Sequence, residues 1–136
     1  MGVTRTSDAM ADTPRISDAE WEIMKILWEK SPQGASEVVA ALDGHRDWNP
    51  KTVKTLLTRL VKKGALSFEK DGRAYLYRPK VTERDCVAVA SRSFVDRVFG
   101  GSILPMLAHL VESKSIAQDE IAELRRLLDE KSDKKR

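Results

Sequence analysis

The side chains best suited to chemistry cluster in one part of this 136-residue chain. Lys51, Thr52, Lys54, Thr55, Thr58, Arg59, Lys62 and Lys63 follow one another at helical intervals, and Arg73 stands a little further on. Lysine and arginine bring fixed positive charge, while threonine brings a short hydroxyl. Together they suit a polyanion whose phosphates need neutralising and whose base edges need close hydrogen-bonding partners. Residues 49–80 hold nine Lys/Arg against two Asp/Glu, although the whole chain carries a formal charge of only +3. The flanking stretches 15–48 and 81–131 are both net acidic, with four against seven and seven against nine. No acidic residue occurs between 49 and 68. A helix face made only for solubility normally mixes signs and gains i,i+4 pairs, so the merely solvated face is the weaker reading.

Other chemistries find little support. Cys86 is the one cysteine, which excludes an internal disulfide, and no Cys/His set has zinc-ligand spacing. No metal or other cofactor is expected. Glu83 and Asp85 beside Cys86 raise its pKa, which favours a small, half-buried apolar role over redox sensing. His45 and His109 lie in separate segments with no Ser or Cys arranged as a nucleophile, so no enzyme is expected. The longest apolar run is a few residues, too short for a membrane span or a signal peptide, and a cytoplasmic protein without membrane insertion follows. Met1, Gly2 and Thr6 match a loose myristoylation pattern that arises often by chance.

The elements that must position the basic cluster are legible from caps and periodicity. Residues 1–14 read as a disordered leader ending at Pro14. Ser17 and Glu20 form a capping box, with Ile16 as a staple, for a first helix over about 18–30 whose stripe is Trp21, Met24, Leu27 and Trp28. A second helix over about 35–42 buries Val38, Val39 and Leu42 and stops at Asp43-Gly44. Asn49 caps and Pro50 opens a third helix over about 50–63, which Gly64 ends. At about 100° per residue, Val53, Leu56, Leu57, Leu60 and Val61 fall in one arc, opposite Lys51, Thr55, Thr58 and Lys62. Alternation on either side of Asp71-Gly72, from Leu66 to Pro79, predicts a hairpin.

Three helices and a hairpin, with the third helix basic outside and Lys70 and Arg73 at the hairpin tip, make the pattern of a winged helix-turn-helix DNA reader. The fold class is α+β. Lys51, Thr52, Lys54 and Thr55 on the early turns are nearest base edges; Thr58, Arg59, Lys62 and Lys63 suit the backbone; Arg73 reaches a phosphate or the minor groove. Phe68, Tyr75 and Tyr77 are expected to pack the wing onto helices one and three rather than stack bases, and Trp48 to anchor the third helix in the core.

From Thr82 three more amphipathic helices are expected, over about 83–99, 102–112 and 118–131. Phe94, Val98, Leu104, Leu107, Leu110, Ile121, Leu124 and Leu128 mark apolar faces too many for so short a segment to bury alone, so a partner copy is expected. The domain reading is a leader (1–14), a winged-helix domain (15–80), a helical dimerisation arm (81–131) and a basic tail (132–136).

Over about residues 15–131 the sequence resembles the penicillinase-repressor family (BlaI/MecI/CopY type). The matching stretches are Ile16 through Met24, Asp47 through Gly64, and Ser93-Phe94 with Val98 through Ser102. The resemblance implies a homodimeric repressor on a palindromic double-stranded DNA operator of β-lactam resistance or related stress genes. It also implies a membrane metalloprotease sensor that cuts an Asn-Phe bond in the penultimate helix. The aligned pair here is His109-Leu110, which departs from that pattern. The copper-responsive members' cysteine-rich C-terminal motif is missing, and no copper sensing is expected. A further departure is Ala117, where the family commonly caps its last helix with Ser or Thr; Ser115 or a frayed start is expected instead. The reading from another class is a winged-helix adaptor that binds protein and does not read DNA sequence.

Overall fold

The first turn of the first helix is closed by two reciprocal bonds. Ser17 Oγ accepts from the Glu20 N–H at 3.2 Å, and Glu20 Oε1 accepts from the Ser17 N–H at 2.8 Å. The computed structural model describes residues 13–42 and 48–134. The expectations for most of the leader and its myristoylation pattern, for Asp43-Gly44, His45 and Asp47, and for Lys135 and Arg136 lie outside the described residues. The elements are α1 (Asp18–Glu29), β1 (Gln33–Gly34), α2 (Ala35–Leu42), α3 (Pro50–Lys62), β2 (Leu66–Asp71), β3 (Ala74–Pro79), α4 (Glu83–Phe99), α5 (Ile103–Glu112) and α6 (Gln118–Lys134). The architecture is an α+β winged helix followed by helices.

On α1 the innermost residues are Ile23, Met24 and Leu27, all fully buried, while Trp21 and Trp28 are half-buried with ring centroids 5.5 Å apart. Trp28 Nε1 donates to the Val81 carbonyl at 2.9 Å, fastening α1 to the chain after the wing. Gln33 Nε2 donates to the Lys30 carbonyl at 2.6 Å and serves the open end of α1. The Asn49 side chain accepts from the Lys51 N–H at 2.8 Å and Pro50 takes the first helical position of α3. At its other end Gly64 has φ +86°, with Gly64 N–H donating to Val61 and Ala65 N–H to Leu60, which is a complete Schellman stop. Val53, Leu56, Leu57 and Leu60 join the α1 residues, Val38, Leu42 and Leu66 in one core, with Trp48 and Val61 packed at its edge.

The sheet has the order β1-β3-β2, all antiparallel. Asp71 pairs with Ala74, so the loop is Gly72-Arg73; with Gly72 at φ +66° and Arg73 outside the positive range, it has the pattern of a II′ turn. Strand β1 was not expected, because two residues leave no alternation to read. It pairs Gln33 with Tyr77 and Gly34 with Leu76. A Cβ on Gly34 would meet the Tyr75 carbonyl at 3.4 Å, an ordinary contact that leaves room for a small side chain.

The aromatic expectation for the wing needs correcting. Only Tyr77 packs against the core; Phe68 and Tyr75 are 51% and 46% exposed and meet each other edge to face at 5.2 Å. They share one face of the hairpin with Tyr77, so alternation alone could not distinguish packing on the core from packing on one another. Cys86 is also deeper than expected, at 1% exposure.

The described chain forms two compact units that divide inside α4, between Arg92 and Ser93. In the second unit Val95 is buried, Leu107, Leu110, Ile121 and Leu124 are half-buried, and Phe94, Val98, Leu104 and Leu128 are exposed. The start of α6 is held by the Glu120 carboxylate, which accepts from the Ala117 N–H at 3.1 Å, whereas Ser115 Oγ is bonded to Ser113 Oγ. This corrects the expected Ser115 cap: a glutamate three residues on does half of a capping box without the hydroxyl.

Two outcomes follow from the buried polar groups. Burial pushes the Glu20 carboxyl up, but hydrogen bonds from Lys63 and Ser17 and the Lys63 charge outweigh it and hold it below the usual carboxylate value. Its contribution to stability is therefore whole above the ordinary carboxylate range and vanishes as pH falls through the lowered value. Chemical denaturation between pH 7 and pH 3 should show a decline that Glu20→Gln flattens, and Glu20→Ala should cost about 3 kcal/mol at neutral pH. Burial, then the Asp85 charge, pushes the Cys86 thiol up to about 11. Ellman's reagent at pH 8 should thus label native protein only at the rate of local opening, with full labelling in denaturant.

Candidate nucleic-acid interface

The exposed side of α3 is laid out by what its other side buries. With Val53, Leu56, Leu57 and Leu60 turned into the core, Lys51, Thr52, Lys54, Thr55, Thr58, Arg59 and Lys62 are all exposed. Among the described residues Lys51, Lys54, Arg59 and Lys62 have no carboxylate at ion-pair distance. Four uncompensated cations on one helix make a local field that favours an anionic surface. The two central threonines are held differently from the cations. Thr55 Oγ1 donates to the Lys51 carbonyl at 3.0 Å and Thr58 Oγ1 to the Lys54 carbonyl at 2.9 Å. Their hydroxyl protons are engaged inside the helix, leaving lone pairs to accept from outside, as a base amino group would require.

Lys63 does not share this openness. Its Nζ lies 2.6 Å from Glu20 Oε1 and 2.8 Å from the Arg15 carbonyl oxygen, and Glu20 is 2% exposed. Sequence spacing placed Lys63 beside Lys62 on the flank of the basic face. What it could not show was that the capping carboxylate of α1 would come to lie against the end of α3.

Arg73 sits exposed at the wing tip and borders a cleft of about 640 Å³. The cleft brings Ser36 at the start of α2, Lys54 and Thr58 of α3, and Arg73 and Tyr75 of the wing around one space. Ser36 and Tyr75 were missed as interface candidates. Ser36 stands apart from the basic run in sequence, and the alternation of Tyr75 with Tyr77 pointed both inward. Elsewhere on the hairpin Glu69 pairs with Arg78 at 2.8 Å, so the wing's one ion pair among the described residues leaves Arg73 uncompensated.

The arrangement can do three things at once. A helix whose inner side is locked in a core offers short acceptors and long cations outward, at a width that the major groove admits. The wing cation and the cleft supply further contacts beside it. Among the described residues no group of three or more His, Cys, Asp and Glu is placed to hold a metal ion, and no single helix is long and apolar enough to cross a membrane.

Comparison with known proteins agrees with this geometry. The family described as Penicillinase repressor matches residues 16–130. The Penicillinase repressor of Bacillus licheniformis is 39% identical over 127 residues, covering 93% of this chain and 99% of that protein. The Methicillin resistance regulatory protein MecI of Mammaliicoccus sciuri is 40% identical over 119 residues, covering 88% of this chain and 97% of that protein. Among solved structures, the monomeric form of Bacillus licheniformis BlaI in complex with the blaP half-operator is 47% identical, with a TM-score of 0.47, over 53% of this chain and 88% of that one.

Proposed function

We propose that this chain, which belongs to the penicillinase repressor family, silences its target genes by binding a palindromic operator as a homodimer. Membership places it among DNA-binding transcription regulators and not among enzymes. The observation that carries the finer reading is the basic face of α3, because among the described residues Lys51, Lys54, Arg59 and Lys62 have no carboxylate partner to give up before meeting phosphate. Lys51, Thr52, Lys54 and Thr55 face base edges; Arg59, Lys62 and Arg73 take the backbone, which Thr58 joins only by turning its hydroxyl away from the Lys54 carbonyl.

Pairing is supported by the second unit. Leu104 is 70% exposed and Leu128 57%, with Phe94 and Val98 also open, which is a large apolar surface for so short a segment. A second copy would cover it with the same residues by two-fold symmetry, and two recognition helices would then read half-sites one helical turn or a multiple of it apart. If each protomer neutralises about four phosphates, the dimer's log-log salt slope is roughly −7.

The β-lactam resistance genes and the metalloprotease sensor belong to the same proposal. His109 and Leu110 lie in the last turns of α5, where their carbonyls accept from the N–H groups of Ser113 and Ser115. A protease acting at that bond must first unwind this turn, and the cut would release the apolar residues of α5 from the pairing surface.

Gel shifts in rising salt on an operator duplex and a scrambled one test the reading. Lys51→Ala and Thr55→Ala should each cost about 1–3 kcal/mol on the operator and little on the scrambled duplex, whereas Lys62→Ala should weaken both alike. Sedimentation tests the pairing. Leu128→Asp, on an exposed position, should move the protein toward monomer with its helical circular dichroism retained, and an unchanged dimer would remove this face from the interface.

A further inference from the structure

Resting on the reading of α3 as the operator-binding helix, we infer that Lys63 is a positioning residue: clamped by Glu20 and the Arg15 carbonyl, it fixes the tilt of α3 and does not contact phosphate. Three observations converge on it. Its Nζ is 2.6 Å from Glu20 Oε1 and 2.8 Å from the Arg15 oxygen, so two of its three donors are used inside the domain. The carboxylate that holds it is 2% exposed and is itself oriented by the Ser17 N–H at 2.8 Å. The clamp also closes over 43 residues of sequence, joining the first turn of α1 to the C-cap of α3.

The consequence is geometric. Asn49 and Trp48 secure the start of α3, and the Schellman stop shapes its end, but among the described residues it is the Lys63 clamp that ties the charged end of α3 to a different helix through a buried ion. Side chains that read base edges tolerate little displacement, because a hydrogen bond weakens steeply with distance and angle. Long cations on phosphates adapt by changing rotamer. Loosening the clamp should therefore harm discrimination and spare the general attraction. Were Lys63 a main phosphate contact, it would have only its third donor to offer while the clamp holds, and offering more would leave the buried Glu20 carboxylate uncompensated.

The full-length chain tests this on two probes: a duplex selected by the wild-type protein from a randomised library, and a scrambled duplex of equal length. Lys63→Gln should lower affinity for the selected duplex about tenfold, the scale of one weakened base contact. Affinity for the scrambled duplex and the salt slope should stay unchanged. Lys63→Arg, which can keep the pair, should restore selectivity. Glu20→Gln, which keeps an oxygen for the Ser17 N–H but loses the charge, should lower selectivity as Lys63→Gln does, with retained helical circular dichroism confirming the fold. Lys62→Gln is the contrasting variant, expected to lower affinity for both duplexes and reduce the slope by about 0.9 per phosphate lost.

A slope reduced by Lys63→Gln as by Lys62→Gln, or unaltered selectivity, would overturn the inference. So would a gain in affinity for every duplex on Glu20→Gln, the mark of a screened phosphate contact set free. If the wild-type chain selects no duplex and shows no salt dependence, it is the operator reading that fails, which is a distinct result.

Discussion

Everything in the first unit depends on α3 being used from both sides. Val53, Leu56, Leu57 and Leu60 bury completely or nearly so, and each such burial is worth about 1.5–3 kcal/mol. The opposite side is left bare and cationic. A helix serving only the core could carry any polar residues outward, and one serving only a ligand could be mobile. Joining the tasks means that the core fixes the orientation in which Lys51, Lys54 and Thr55 are presented. The hydrophobic arc is thus a specificity element as well as a source of stability, since a void under Leu57 would let the outer face shift.

The acids are as informative as the bases. Among the described residues, the ion pairs of Glu20 with Lys63 and of Glu69 with Arg78 leave Lys51, Lys54, Arg59, Lys62 and Arg73 without counter-charges. Unpaired like charges on one helix repel and cost stability, and a polyanion relieves that cost on binding. The two pairs differ in kind. Glu69 and Arg78 are both exposed and contribute little, whereas Glu20 is buried and its carboxylate accepts from both the Ser17 N–H and Lys63 Nζ. Charge in this domain is therefore sorted by place: outward where a ligand can answer it, inward where a helix end has to be held.

Much of this was legible because it is written in local signals. The Ser17–Glu20 box, Asn49-Pro50, Gly64 and the turn beside Gly72 each act within a few residues, and periodicity gave the arcs of α3. What was hidden depends on distant partners. Strand β1 exists because β3 offers it an edge; Lys63 is paired because the first turn of α1 brings Glu20 beside it; Phe68 and Tyr75 stay exposed and pack on one another. Ile23 outranks the tryptophans in depth because the bulkier rings straddle the edge of the core and Trp28 keeps its N–H on the Val81 carbonyl. The residues that read as a recognition face were found by spacing, while the cleft that adds Ser36 and Tyr75 to it was a product of the tertiary fold.

The C-terminal helices raise the question of why a small DNA-reading domain should carry so much exposed apolar surface. Val98, Leu104, Val111, Leu127 and Leu128 are each about half exposed or more, a pattern that costs solubility unless it is covered. On the proposed pairing, covering it links two basic faces, so that once one is seated the other binds at a raised effective concentration. Operator affinity then depends on residues that never approach DNA. On the same proposal, an event that unwinds the end of α5, where Leu110 sits half-buried, would separate the halves while leaving α3 intact. The division of labour proposed for the two units would make that form of control available: the reading surface rests on its own core, and the connection between copies would be the part that can be broken.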